Sequence, residues 1–134
     1  MAGTLKLSVV TPERTVVETE ADAVQLPGEL GYLGILPGHA PLITLLKPGV
    51  LSWSPASGET AAAISGGFAE VAEDRVTVLA DTAERASEVD VAAAEKDRAQ
   101  AAQELQSAGA REAVEAARRR AEIAQARLAV ARRS

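Results

Sequence analysis

The chain has 134 residues, no cysteine and a formal net charge of −5, enough for one domain or for a small domain with an appendage. The lack of cysteine excludes disulfides, thiolate metal sites and cysteine nucleophiles and fits a reducing compartment, and no apolar run reaches the ~18–20 residues that cross a bilayer. Charge is split along the chain, twelve acidic against five basic residues over 1–89 and seven against nine over 90–134; an acidic body with a weakly basic tail is a poor nucleic-acid binder and suits a tail that meets an acidic protein surface.

The first part of the chain alternates with period two. Leu5, Leu7 and Val9 share one face while Lys6 and Ser8 point away, so the start reads as a half-buried strand rather than a signal peptide. Similar runs follow at residues 15–18, 23–26, 33–36, 42–46, 50–54, 61–65, 68–72 and 76–80. Turn formers separate them: Thr11-Pro12, Pro27-Gly28, Pro37-Gly38, Lys47-Pro48-Gly49, Ser57-Gly58, Gly66-Gly67 and Glu73-Asp74. Proline presets φ and glycine supplies positive φ, so these pairs end strands. About nine short strands at close spacing predict an all-β sandwich or barrel. Only 2% of residues are aromatic, so its core must be built from Val, Leu and Ile.

After Val89 the period changes. Residues 90–105 lack Gly and Pro and are rich in Ala, Glu, Gln, Lys and Arg, which predicts a helix with Asp90 or Ser87 as N-cap. Ser107-Ala108-Gly109 interrupts it, with Gly109 at C′. A second helix is predicted over about 111–132, ending in Arg132-Arg133 as the helix dipole prefers. Its apolar seam is Val114, Ala117, Ala121, Ala124, Leu128 and Ala131 at alternating spacings of three and four. The expected fold is therefore α+β: a β-sandwich head over 1–88, then an antiparallel two-helix hairpin over 89–134. A buried methyl is worth only about 0.8 kcal/mol against roughly 1.5–3 for a leucine, so an alanine-faced tail docks weakly and is suited to a conformational switch.

A search for chemistry finds no constellation. His39 is the sole histidine and has no ligand partners by spacing, so it reads as a turn residue or part of a partner interface. Gly28, Gly31, Gly34 and Gly38 precede no Gly-Lys-Ser/Thr and no βαβ unit, so they are not a phosphate cradle. Glu73-Asp74 on one turn and Asp81 on another form no recognisable carboxylate pair. Trp53 reads as core. Arg118, Arg119 and Arg120 point in different directions on a helix, about 100° apart; they are either solvated partners of residues such as Glu115 or contacts to an acidic neighbour. No residue set specifies an enzyme.

Several segments carry a family resemblance. Residues 31–42, Gly-Tyr-Leu-Gly-Ile-Leu-Pro-Gly-His-Ala-Pro-Leu, resemble the L-G-x-L-P-G-H-A-P-L signature of the epsilon subunits of bacterial F-type ATP synthases. Lys47-Pro48-Gly49, the Ser65-Gly66-Gly67-Phe68-Ala69-Glu70-Val71 run and residues 76–83 are similar to the family's later motifs, in the same order and spacing. The resemblance implies a flattened β-sandwich of about ten strands followed by two helices. It implies a non-catalytic rotor subunit in the central stalk, held by a gamma subunit and resting on the c-ring loops. Its tail would extend toward the alpha and beta catalytic subunits and inhibit ATP hydrolysis. The location implied is the cytoplasmic face of the bacterial inner membrane, as a peripheral part of a complex without direct membrane insertion.

Carried over by motif, the gamma-facing positions fall on Thr11, His39, Thr44 and Ser65, and the c-ring-facing loop on residues 27–33. Tyr32 stands where many members have an acidic residue, with Glu29 nearby. Some members bind ATP through a motif opening the first helix; here Asp90 matches it, but Ala93 and Gln100 replace its arginines. Two lost cationic donors predict weak or absent ATP binding and no cofactor. The competing expectation is a free-standing ligand-binding β-sandwich with a helical dimerisation tail. That would need a pocket lined by polar or aromatic groups.

Overall fold

The computed structural model describes residues 3–54 and 60–132; the turn expected at Ser57-Gly58, and Arg133, lie outside them. Ten strands come first: β1 (Leu5–Val10), β2 (Thr15–Ala21), β3 (Ala23–Gly28), β4 (Gly31–Ile35), β5 (Leu42–Leu46), β6 (Gly49–Ser54), β7 (Ala61–Ile64), β8 (Gly67–Ala72), β9 (Arg75–Ala80) and β10 (Ala83–Arg85). One turn of 3-10 helix, Ala86–Glu88, leads into α1 (Val91–Ser107) and α2 (Arg111–Ala131).

Hydrogen-bonded neighbours follow the order β10-β7-β6-β3-β5-β8-β9-β1-β2, with β4 paired to β3. Strands β3 and β5 meet at the single pair Gly28↔Leu46. That corner folds the sheet into two layers, one around β3, β6 and β7, the other around β5, β8, β9 and β1. Their inward side chains form one core, including Leu5, Leu7, Val9, Val76 and Val78 from one layer and Val24, Leu26, Leu51 and Ile64 from the other. Trp53 is in this core. The period-two reading thus holds along most strands, because each has one face on the core and one outside.

Strand β7 departs from alternation. Its four residues, Ala61, Ala62, Ala63 and Ile64, are all buried. Ala62 and Ile64 face the sandwich core, whereas Ala61 and Ala63 pack against Ala126 and Val130 of α2. A continuous apolar run marks a strand covered on both faces.

Some expected turns fall elsewhere. Pro27 and Gly28 belong to β3, and Glu29 and Leu30 make the two-residue connection to β4, where Gly28 pairs with Gly31. Glu73 and Asp74 close the β8–β9 hairpin with φ of 52° and 60°, the left-handed pair that matches strand twist. Gly67 starts β8 at φ 137°, where an added Cβ would run into the Leu79 carbonyl and the Ala80 Cα. No other residue fits there. Strand β10 is a tenth strand beyond the nine runs visible in the residues, only three residues long.

Asp90 caps α1, its carboxylate accepting from the Ala93 N–H at 3.0 Å. The end of α1 corrects one expectation: it closes on Ala108 in extended geometry (φ −72°, ψ 128°), and Gly109 is not among the positive-φ glycines. The connection runs extended into α2, so no left-handed cap is needed. Ala94 and Ala101 are the buried residues of α1, seven apart and therefore on one face. The principal packing partner of α1 is α2, and α2 in turn packs on β6 and β7.

Glu88 fastens the junction between head and helices. Its carboxylate meets Arg14 of the β1–β2 connection at 2.8 Å and accepts the Arg85 N–H at 2.9 Å. The bond from Arg14 and those from Arg85 hold the Glu88 carboxyl down to about 2. A lowered carboxyl stabilises the fold above its unfolded value near 4.5, and that contribution is lost as pH falls through the folded value. The Glu88→Gln variant should therefore melt below the parent chain at pH 7, and calorimetry at falling pH should find the gap closing between pH 4.5 and 2.

Candidate functional site

The outer face of the β5-β8-β9-β1 layer carries side chains that alternation alone would make polar. Ile43 and Leu45 of β5 are 71% and 61% exposed. Leu45 lies opposite Phe68 of β8, Phe68 opposite Leu79 of β9, and Leu79 beside Val10 of β1. Phe68 and Leu79 are also exposed. Directly aligned cross-strand residues touch on one face, so Leu45, Phe68, Leu79 and Val10 form an apolar row across four strands. Two residues along, the aligned positions Glu70, Thr77 and Ser8 are polar, whereas Ile43 opposite Glu70 extends the apolar surface along β5.

The row continues toward the β3–β4 hairpin, whose tip residue Leu30 is fully exposed. Hairpin and β5 border an open depression of about 520 Å3 lined by Leu30, Tyr32, Ile43 and Leu45 among others, with Glu29 and Thr44 on its walls. Tyr32 is half exposed, and its hydroxyl accepts the Val50 N–H at 3.2 Å. Gly49 leaves room for that contact, since a Cβ there would lie 3.0 Å from the hydroxyl and 2.7 Å from Pro27.

The residues expected to face partners do not gather at one point. Glu29, Tyr32 and Thr44 share the depression. Thr44 donates to the Leu45 carbonyl at 3.3 Å. Thr11 and Ser65 are buried, and their hydroxyls are used within the chain. Thr11 Oγ1 donates to the Arg14 carbonyl and accepts its N–H, both at 3.3 Å. Ser65 Oγ accepts the Thr82 N–H at 3.0 Å. Both sit near the end of the strands that bears the apolar row, because Thr11 follows Val10 and Thr82 lies three residues beyond Leu79. His39 is at the other end. Its loop is tied down by the Gly38 N–H donating to Asp74 in the β8–β9 turn at 2.7 Å, and its Nδ1 lies 2.6 Å from the Ala40 carbonyl.

The three consecutive arginines of α2 diverge, as 100° spacing requires. Arg119 donates to the Ser65 carbonyl at 2.7 Å. Arg120 pairs with Glu104 of α1 at 2.6 Å and lies 3.8 Å from Asp97. It also donates to Gln100 at 3.3 Å. Arg118 is exposed at the edge of a depression bordered by Glu29, Lys47 and Glu122. Glu115 pairs with Arg111 at 3.4 Å rather than with Arg118 or Arg119, because Arg119 is turned toward the head.

Sequence reasoning did not single out Arg127. Its guanidinium meets Glu84 of β10 at 2.6 and 3.4 Å and lies 3.9 Å from Asp97 of α1. With side chains only 18% and 28% exposed, this is the least solvated ion pair in the described residues. Its signal was weak, since the short strand that carries Glu84 has no alternating pattern of its own. The apolar row had a readable signal: Ile43, Leu45, Phe68 and Leu79 occupy the outward phase of their strands.

Among the described residues no group of three or more His, Asp or Glu could hold a metal ion. No described helix is long and apolar enough to cross a membrane.

The family model for the ATP synthase Delta/Epsilon chain beta-sandwich domain matches residues 4–86. The ATP synthase epsilon chain of Koribacter versatilis is 50% identical over 102 residues, covering 75% of this chain and 72% of its own length. That of Desulforamulus reducens is 52% identical over 102 residues, covering 75% and 77%. Among solved structures, a chain of the Euglena gracilis mitochondrial ATP synthase aligns with a TM-score of 0.77 at 22% identity, over 91% of this chain and 78% of that one. A chain of the Tetrahymena thermophila mitochondrial ATP synthase central stalk and c-ring aligns at 0.68 and 12% identity, over 97% and 98%; these two likenesses speak to the fold. The matched stretch spans all ten strands, and with relatives near half identity over three quarters of the chain, this protein belongs to the ATP synthase epsilon chain family as an accessory, non-catalytic subunit.

Proposed function

We propose that this chain is a rotor subunit of the central stalk, transmitting c-ring rotation to the catalytic head and restraining ATP hydrolysis through its helical tail. One observation carries the reading: a sandwich with a filled core presents an uncovered apolar row at Leu45, Phe68 and Leu79. A contiguous apolar face rimmed by polar residues marks a protein interface. The gamma subunit is its occupant in this reading, and the β3–β4 tip at Glu29 and Leu30 meets the c-ring loops. The complex would lie on the cytoplasmic face of the bacterial inner membrane.

The tail reading rests on small contacts. Helices of 17 and 21 residues set end to end would reach about 57 Å at 1.5 Å per residue, far enough to touch the alpha and beta subunits from the foot of a stalk. The weakly basic tail would suit an acidic surface there. The expectation of weak or absent nucleotide binding draws support from the contacts at these positions: Asp90 caps α1, Gln100 accepts from Arg120, and Arg127 pairs with Glu84.

Three measurements test these statements. Phe68→Ser and Leu45→Ser each remove an apolar anchor worth roughly 1.5–3 kcal/mol, so co-purification of a gamma-like subunit from membranes should weaken about ten- to a hundredfold while the melting temperature holds; unchanged capture overturns the interface. Truncation after Glu88 should leave the head folded, because its main core contains no tail residue, and should raise ATP hydrolysis by the assembled enzyme; unchanged hydrolysis overturns the inhibitory role. Calorimetric titration with ATP should give no micromolar binding.

A further inference from the structure

The β3–β4 hairpin is held at its base from two sides. On the β5 side the Glu29 N–H donates to the Leu45 carbonyl and the Lys47 N–H to the Pro27 carbonyl, each at 3.0 Å. On the β6 side the ladder between β3 and β6 ends at Gln25↔Ser52. Two residues further along the same register Pro27 would face Val50, but proline has no N–H and its carbonyl is taken by Lys47. The Val50 N–H donates instead to the Tyr32 hydroxyl at 3.2 Å. Tyr32 lies opposite Pro27 on β4, so its phenol reaches past β3 to a strand that β4 does not pair with. Beyond these ties the two-residue tip projects alone, with Leu30 fully exposed.

We propose that Tyr32 is a positioning residue that braces this hairpin as a fixed finger, and that Leu30 at its tip is the specificity-determining contact, seating in an apolar recess of the partner rather than pairing with charge. The proposal deepens the hairpin reading above and rests on it. A leucine carried on a turn that is already fixed gives up little more than its own side-chain freedom when it docks. The neighbouring tip residue, Glu29, is less suited to specify the contact. It borders a depression in which Glu29, Glu115 and Glu122 stand against Lys47, Arg118 and Arg119, so its charge is offset within its own chain. Leu30 borders the other depression with Tyr32, Ile43 and Leu45. The apolar surface of the sheet is thereby continued out to the tip, and an apolar recess is the partner chemistry that matches it.

Rebinding of the full chain to ATP synthase membranes depleted of this subunit tests both roles. Leu30→Ser should weaken binding about ten- to a hundredfold, by the same factor at low and high salt, whereas Glu29→Gln should bind as the parent does. Tyr32→Phe keeps the ring, removes the hydroxyl and should cost about two- to tenfold. Hydrogen exchange at its Val50 amide should rise while β1, β8 and β9 hold the parent rates, which controls for folding. The double variant Leu30→Ser/Tyr32→Phe separates positioning from general destabilisation: the cost of losing the hydroxyl should vanish once Leu30 is gone. Additive losses overturn the brace. A loss in Glu29→Gln with none in Leu30→Ser overturns the apolar contact but leaves the hairpin at the partner. No loss in any tip variant, with Phe68→Ser still weakened, overturns the proposal and the hairpin reading together.

Discussion

The organisation of this molecule depends on a strand that must be buried on both faces yet carries almost no side chain. Strand β7 presents Ala62 and Ile64 to the sandwich and Ala61 and Ala63 to α2. Alanine permits the helix to approach closely but yields little free energy. Ala61, Ala63, Ala126 and Val130, at about 0.8 kcal/mol per buried methyl, amount to a few kcal/mol, of the order of the ordering cost of a handful of residues. The sandwich core, with twenty buried residues including many Leu, Val and Ile, is far larger. The seam between sandwich and helices is thin beside the core it borders.

What the apolar joint does not supply, charge does. The Arg127–Glu84 pair is partly shielded from water, where an ion pair keeps more of its attraction than at the surface. Arg120, paired with Glu104 at a more exposed site, is more screened by salt. The arginines of α2 thus divide their work by direction: Arg120 ties the helices to each other, Arg119 and Arg127 tie them to the head, and Arg118 ties to neither. Three adjacent residues at 100° intervals are an economical way to build such a branched joint from one helix.

Most of the fold was legible because each strand shows one face to the core. Leu5, Leu7 and Val9 give this away in the residues alone, as does the seam through Ala117, Ala124 and Leu128. Three features were not. Strand β10 is three residues long and too short to show a period. The cover on β7 required reading Ala61-Ala62-Ala63-Ile64 as a two-sided run rather than an alternating one, and alanine is ambiguous between strand and helix. The αL cap expected at Gly109 failed because the chain leaves α1 in extended geometry. The partner-facing residues were named from motif resemblance, and geometry refines their meaning: Thr11 and Ser65 spend their hydroxyls on their own backbone, and the apolar row beside them is the surface open to a neighbour.

The two outer faces of the sandwich then have opposite fates for one reason. On the β6–β7 side the outward residues are small, and α2 folds back to cover them. On the β5-β8-β9 side they are large, Ile43, Leu45, Phe68 and Leu79, and no described segment of this chain covers them. Covering large side chains on a nearly flat sheet takes a broad partner, not a small ligand, since the depressions here are open rather than enclosing. The corner at Gly28 and Leu46 carries this apolar surface around toward Leu30 at the hairpin tip. A partner seated on the row would therefore sit beside whatever meets the hairpin. The alanine-faced side, by contrast, is covered by α2 of the same chain through small side chains, so the large and the small outward residues are divided between opposite faces of the same sheet.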